Sequence, residues 1–119
     1  MGKDLEGVLA HSSQFILNPF KGHMVEERRI TDKNLYENIK EFAQLDGAFV
    51  LSGDGIVEAA GRYVTVDTSG VNIPMGMGSR HASVAGITMV TDSIGVVVSQ
   101  SGGIIKIFRS GRIVRTLTP

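Results

Sequence analysis

The sequence contains no cysteine among its 119 residues. Disulfides and thiolate metal sites are thereby excluded, and a reducing cytoplasm, the expected location, is permitted. Net charge is also lacking, because 12 Lys and Arg balance 12 Asp and Glu. That balance argues against broad charge-driven binding to nucleic acid or to a membrane surface, while leaving room for a local basic pocket. No apolar run reaches the ~20 residues of a membrane-spanning helix. The start has no signal-peptide layout, since acidic residues follow Lys3, and Glu6 stands where a myristoylation motif wants Ser or Thr. There is no Walker-type lysine loop, nucleophile elbow or metallohydrolase histidine pair, which removes several common enzyme classes.

What is present suits one globular domain, with 42% hydrophobic and 20% charged residues. Residues 13–17 read as a short strand that ends at the turn-favouring pair Asn18-Pro19. Residues 21–29 are polar and charged and read as an exposed loop. Asp32 is placed to cap a helix running to about Gln44, with Leu35, Ile39 and Phe42 on its apolar face. The period then changes. Residues 48–51 form a compact apolar strand, residues 52–55 a hairpin-type turn, and residues 56–60 the returning strand, continued over residues 62–66. Gly70, Pro74, Gly76 and Gly78 mark residues 67–78 as a loop, after which a helix starts near Ser79 and turns Val84, Ile87 and Thr88 toward the core. Strands over residues 95–99, 104–108 and 113–117 complete an α/β (α+β) fold with a mixed central sheet flanked by helices.

Two strings could carry chemistry. In Gly78-Ser79-Arg80-His81, glycines at 76 and 78 allow close approach of a ligand, and Ser79 opens a helix whose free N–H groups suit an anion. Arg80 adds donors matched to phosphate oxygens, and His81 donates to phosphate or accepts a proton. Alone, the string is equally a helix cap with a solvated arginine. In Leu45-Asp46-Gly47-Ala48, an acidic residue stands between a helix and a buried strand, where its carboxylate could hold Mg²⁺ or Mn²⁺ alongside substrate phosphates. Gly47 would admit a base or ribose to the backbone. By itself this string is a helix-ending turn. A third, residues 99–103 (Ser-Gln-Ser-Gly-Gly), reads as a phosphate contact or, more simply, a hairpin loop. His11 and His23 have no metal-ligand spacing and receive no role, and Met75, Met77 and Met89 read as flexible packing.

Taken in order, these strings resemble the diadenylate cyclase (DAC) domain family. The resemblance rests on Asp46-Gly47-Ala48, Gly53-Asp54-Gly55, Ala59-Ala60-Gly61-Arg62-Tyr63, Gly78-Ser79-Arg80-His81, Gly86-Ile87-Thr88 and Val96-Val97-Val98-Ser99. Residues 16–23 look like the archaeal-type branch. The resemblance implies that two ATP molecules condense to cyclic di-AMP, releasing two pyrophosphates, at a site formed by two face-to-face subunits. It implies a metal ion, Mn²⁺ or Mg²⁺, on Asp46, which also helps activate the ribose 3′-hydroxyl. Gly47, Ala48 and Val64 would lie against the nucleotide, with Val64 on the adenine. Gly78, Ser79, Arg80 and His81 would hold the phosphates, and Ser99 would reach the triphosphate. Catalysis would rest on Asp46, Arg80 and His81.

The chain departs from the family pattern at three places. Ala82 replaces a common second arginine, Leu45 a common histidine, and Gln100 a common acidic residue. Lys106, Arg109 or Arg112 are candidates to restore the lost charge. Family domains carry another strand and helix ahead of residue 13, so residues 1–119 read as one N-terminally shortened domain. The alternative to a cyclase is a module that binds ATP or cyclic di-AMP without turnover.

Overall fold

The computed structural model describes residues 4–71, 77–99 and 102–119. The expectations placed on Lys3, Pro74, Met75, Gly76, Gln100 and Ser101 lie outside the described residues. The chain divides into two compact units, Met1–Thr65 and Val66–Pro119.

The first unit opens with a helix, α1 (Leu5–Ala10), where none was expected. Its apolar residues Leu5, Val8 and Leu9 share one face, and the Asp4 side chain caps it by accepting from Gly7 N at 2.9 Å. Six residues are too few for that period to stand out in the sequence. The next strand, β1 (Ser12–Gln14), is shorter than expected and stops before Phe15. Asn18 makes the predicted turn: its Nδ2 donates to Glu58 O at 2.8 Å and its Oδ1 accepts from Phe20 N at 3.0 Å. That pair of bonds ties the turn to the sheet and seats Phe20 in the core. The exposed segment beyond it contains a 3₁₀ turn, Val25–Arg28. Asp32 caps as expected, although the first turn behind it is 3₁₀ (Lys33–Leu35) before the α-helix α2 (Tyr36–Phe42) begins.

Strands β2 (Ala48–Leu51) and β3 (Val57–Val64) form the predicted hairpin, closed by Ser52 N to Ile56 O at 2.9 Å. β3 is central, antiparallel to β1 on one side and β2 on the other. It ends at Val64, two residues short of the expectation, and runs unbroken through Gly61. Ala48 pairs with Arg62 but Val50 with Ala59, so two β3 residues oppose Phe49. Gly61, at φ +72°, takes up that bulge. Phe20, Leu35, Val57 and Ala60 form the core of this unit, with Phe42 and Phe49 edge-on to Phe20.

The second unit packs α3 (Ser79–Val90) on a meander of β4 (Ile94–Val98), β5 (Ile105–Arg109) and β6 (Arg112–Leu117). The α3 face that carries Ala85, Ile87 and Thr88 is buried, matching the expectation for Ile87 and Thr88, while Val84 is half-buried. Ala85, Val97 and Phe108 form its core. The two-residue β5–β6 turn, Ser110-Gly111, has positive φ at both positions, which matches the twist of a hairpin. Buried Thr88 Oγ1 accepts from Gly111 N at 3.2 Å and so fastens that turn to the helix.

The α+β class is therefore as expected. Its strands pair as two three-stranded sheets, and every named ladder among the described residues is antiparallel, where one mixed sheet was anticipated. The cause is connectivity: short hairpins join β2 to β3, β4 to β5 and β5 to β6, and short loops between neighbours permit only antiparallel pairs.

Candidate functional site

In the first unit, Asp46 lies in the turn between α2 and β2 with its carboxylate in solvent. Oδ1 accepts from Gly47 N at 3.2 Å and Oδ2 accepts from the Tyr63 hydroxyl at 2.7 Å. The Ala48–Arg62 pairing, continued outward, brings Asp46 to the level of Tyr63 and Val64. Asp46, Gly47, Ala48 and Val64 thus collect at one end of the β2–β3 hairpin, as a shared site would need.

The backbone and β3 both require glycine at position 47. Its φ is +99°, and a Cβ there would lie 2.9 Å from Gly61 C and 3.0 Å from Arg62 N. The missing side chain makes room for β3.

Arg62, next to Tyr63, is clamped by neutral oxygens. Its Nη2 donates to Leu9 O at 2.9 Å and Ser12 O at 2.7 Å, and its Nε donates to Ser12 Oγ at 2.8 Å. These bonds gather the end of α1 and β1 against β3. Phe15 lies beyond β1 with its backbone N–H on Gly61 O at 2.9 Å, and its ring stacks on Tyr63 with centroids 4.8 Å apart and planes 10° from parallel. The hydrogen bond to Asp46 raises the Tyr63 pKa, and the nearby negative charge adds to it. The sequence left Tyr63 and Phe15 without roles. The hairpin register was the signal that could have placed Tyr63 beside Asp46.

In the second unit, Gly78 is the N-cap of α3 and Ser79 its first helical residue, with no side-chain capping bond. Ser79 is therefore not the cap, and it is exposed. Gly78 has ordinary extended backbone, and no described atom lies within 4 Å of a Cβ placed on it. Arg80 is exposed and makes no ion pair among the described residues. His81 is half-buried, edge-on to Phe108 with ring centroids 6.2 Å apart. Burial holds its pKa below the usual histidine value, helped by the positive charges of Lys106 and Arg80. Arg80, His81 and Lys106 thus make a basic cluster at the start of α3.

Of the three residues considered for the charge missing at Ala82, Lys106 is the one whose charge acts on His81, and its ammonium lies 3.5 Å from Thr116 Oγ1. Arg109 and Arg112 face each other across the β5–β6 turn, and Arg112 borders a groove with Met89 from the last turn of α3. A helix of 12 residues separates its two ends by ~18 Å. Ser99 follows β4, two positions beyond Val97, the cross-strand partner of Lys106. β4 returns along α3 after a three-residue loop, so this strand end points back toward the helix start.

A divalent ion fits this donor set in one manner. Among the described residues no cluster of three or more His, Cys, Asp or Glu exists. A lone exposed carboxylate such as Asp46 suits Mg²⁺ or Mn²⁺ when phosphates and water complete the shell. Among the described residues no helix is long and apolar enough to cross a membrane.

Comparison with known proteins agrees with these strings. A family model described as "DAC: DisA bacterial checkpoint controller nucleotide-binding" matches residues 9–113. A protein of Methanocaldococcus jannaschii named diadenylate cyclase is 43% identical over 116 residues, covering 98% of this chain and 36% of its own length. A diadenylate cyclase of Haloferax volcanii is 35% identical over 117 residues, covering 98% of this chain and 42% of its own. The Bacillus subtilis cyclic di-AMP synthase CdaA is 34% identical over 73 residues, 61% of this chain and 26% of its own. The chain thus spans well under half the length of the curated relatives it matches.

Proposed function

The chain belongs to the DAC family, and we propose that it is a diadenylate cyclase domain joining two ATP molecules into cyclic di-AMP. The observation that carries this reading is the match of 98% of the chain to an archaeal protein named diadenylate cyclase. In each of two equivalent steps, a ribose 3′-oxygen forms a bond to the α-phosphorus of the other ATP. The bond from that phosphorus to the bridging oxygen of the β-phosphate breaks, and pyrophosphate leaves with the electron pair. Two such steps close the ring and release two pyrophosphates. One site cannot present both nucleotides to each other, so two copies of the domain pair face to face.

Each residue has a part that its surroundings support. Asp46 would hold the metal ion and receive the hydroxyl proton, since its exposed carboxylate keeps lone pairs beyond the two hydrogen bonds it accepts. Gly47, Ala48 and Val64 bind the nucleoside. The α3 start binds phosphate through free N–H groups, with Gly78 leaving open approach and Ser79, Arg80 and His81 adding donors. Ser99 contacts the triphosphate. A bound Mn²⁺ or Mg²⁺ would neutralise phosphate charge and make the α-phosphorus more electrophilic. The residues themselves supply position and charge.

Ala82 favours a second reading, binding without turnover, because it removes a charge from α3. Against it stands the positive charge of Lys106, which acts on His81. Incubation with ATP and Mn²⁺ or Mg²⁺, followed by nucleotide chromatography, separates the two. Cyclic di-AMP and pyrophosphate in a 1:2 ratio are expected, and Asp46→Asn should reduce the rate at least a hundredfold without altering the melting temperature. Binding of ATP with no product would establish the second reading.

A further inference from the structure

We infer that Tyr63 is a positioning residue that orients the Asp46 carboxylate for its metal ion, an inference that rests on the metal-binding role proposed for Asp46. Asp46 sits in an exposed turn, where neither burial nor packing restricts rotation of its carboxylate. Two donors restrict it instead: Gly47 N on Oδ1 and the Tyr63 hydroxyl on Oδ2, the latter at 2.7 Å. The first is 3.2 Å long and comes from the adjacent residue, so it turns with the same flexible loop. Among the described residues Tyr63 alone ties the carboxylate to a regular element, β3, 17 residues away along the chain.

The tyrosine is itself held in place. Phe15 covers its ring in a parallel stack, and β3 at this point is pinned by the four hydrogen bonds that Arg62 makes to Leu9, Ser12 and Gln14. A half-buried tyrosine at a strand end would otherwise keep some rotamer freedom. The stack removes much of that freedom before any ligand arrives. The phenol occupies one lone pair of Oδ2, and an ionised carboxylate offers about four acceptor sites. Room for a metal ion therefore remains, and the hydrogen bond sets the direction from which it is met. Outer partners of metal-binding carboxylates act in this way, and losing one costs about 10–100-fold in metal affinity or activity.

Tyr63→Phe deletes the hydroxyl and keeps the ring on Phe15, so the variant isolates the bond from the packing. Two measurements test it. Mn²⁺ alone is titrated into the ¹⁵N-labelled chain while paramagnetic broadening of the Gly47 amide is followed; half-broadening should need about tenfold more Mn²⁺ in Tyr63→Phe than in the parent. In turnover assays the half-saturating Mn²⁺ concentration should rise by a similar factor, with KM for ATP at saturating Mn²⁺ and the melting temperature unchanged. Equal Mn²⁺ requirements in both proteins overturn this inference while leaving the cyclase reading intact. So does a change confined to KM for ATP or to melting. A parent chain whose Gly47 amide is untouched by Mn²⁺, both alone and with α,β-methylene-ATP supplying the phosphates, overturns the Asp46 assignment itself, and the role of Tyr63 with it.

Discussion

His81 has the most consequential surroundings of any single residue after Asp46. Its imidazole lies against Phe108, and burial, Lys106 and Arg80 all disfavour the charged form, so its pKa falls below the ordinary 6.5. The unfolded chain then takes up a proton as pH drops through 6.5, whereas the folded chain resists until a lower pH. Stability is accordingly complete above 6.5 and declines as pH falls from there through the folded value. Urea midpoints measured at pH 7.5 and 5.5 should differ more for the parent than for His81→Gln, which cannot titrate. An equal difference in both proteins would place the pH sensitivity elsewhere. Gly47 shows another side of the residue scale. A positive φ and the closeness of β3 both demand glycine there, whereas the sequence suggested a helix-ending turn or an opening for a ligand.

Packing between elements explains more of the second unit than propensity does. β4 approaches α3 closely because Gly95 has no side chain: an added Cβ would overlap Val84 Cγ1 and lie 3.1 Å from Thr88 Cγ2. Gly95→Ala should therefore destabilise by about 1–3 kcal/mol, as overpacking usually does. Adding Val84→Ala should recover part of that loss, because it clears the space the new methyl enters. Denaturant unfolding of the two singles and the double gives the coupling, and strictly additive losses would mean that the strand simply moves away. The same contact bears on function. It keeps β4 alongside α3, and Ser99 directly follows the strand that returns toward Ser79, Arg80 and His81.

For the whole molecule, the decisive property is that the proposed reaction joins two nucleotides held by two copies. If the copies associate only weakly, the rate per subunit should climb steeply with protein concentration and level off once pairing is complete. Assays over a hundredfold range of protein at saturating ATP and Mn²⁺ check this. A rate per subunit that stays constant throughout, in a chain that sedimentation shows to be monomeric, would defeat the two-copy scheme.

Much of the fold was legible in the chain. The Asp32 cap, the apolar spacing of Leu35, Ile39 and Phe42, the residue 52–55 turn and the helix from Ser79 all appear near their expected places. These features are local, decided by side-chain period and turn chemistry within a few residues. The α1 helix, the bulge at Gly61 and the division into two antiparallel sheets were not legible. Each depends on partners distant in sequence, or on an element too short to show a period. Sequence alone determined the family and the two strings around Asp46 and Gly78, because ordered residue identities carry that information directly. Only the tertiary structure decided that Tyr63 holds Asp46, that the charge of Lys106 acts on His81, and that β3 leaves no room for a side chain at Gly47. Those are distances between residues far apart in the chain, and strand register and helix packing set them.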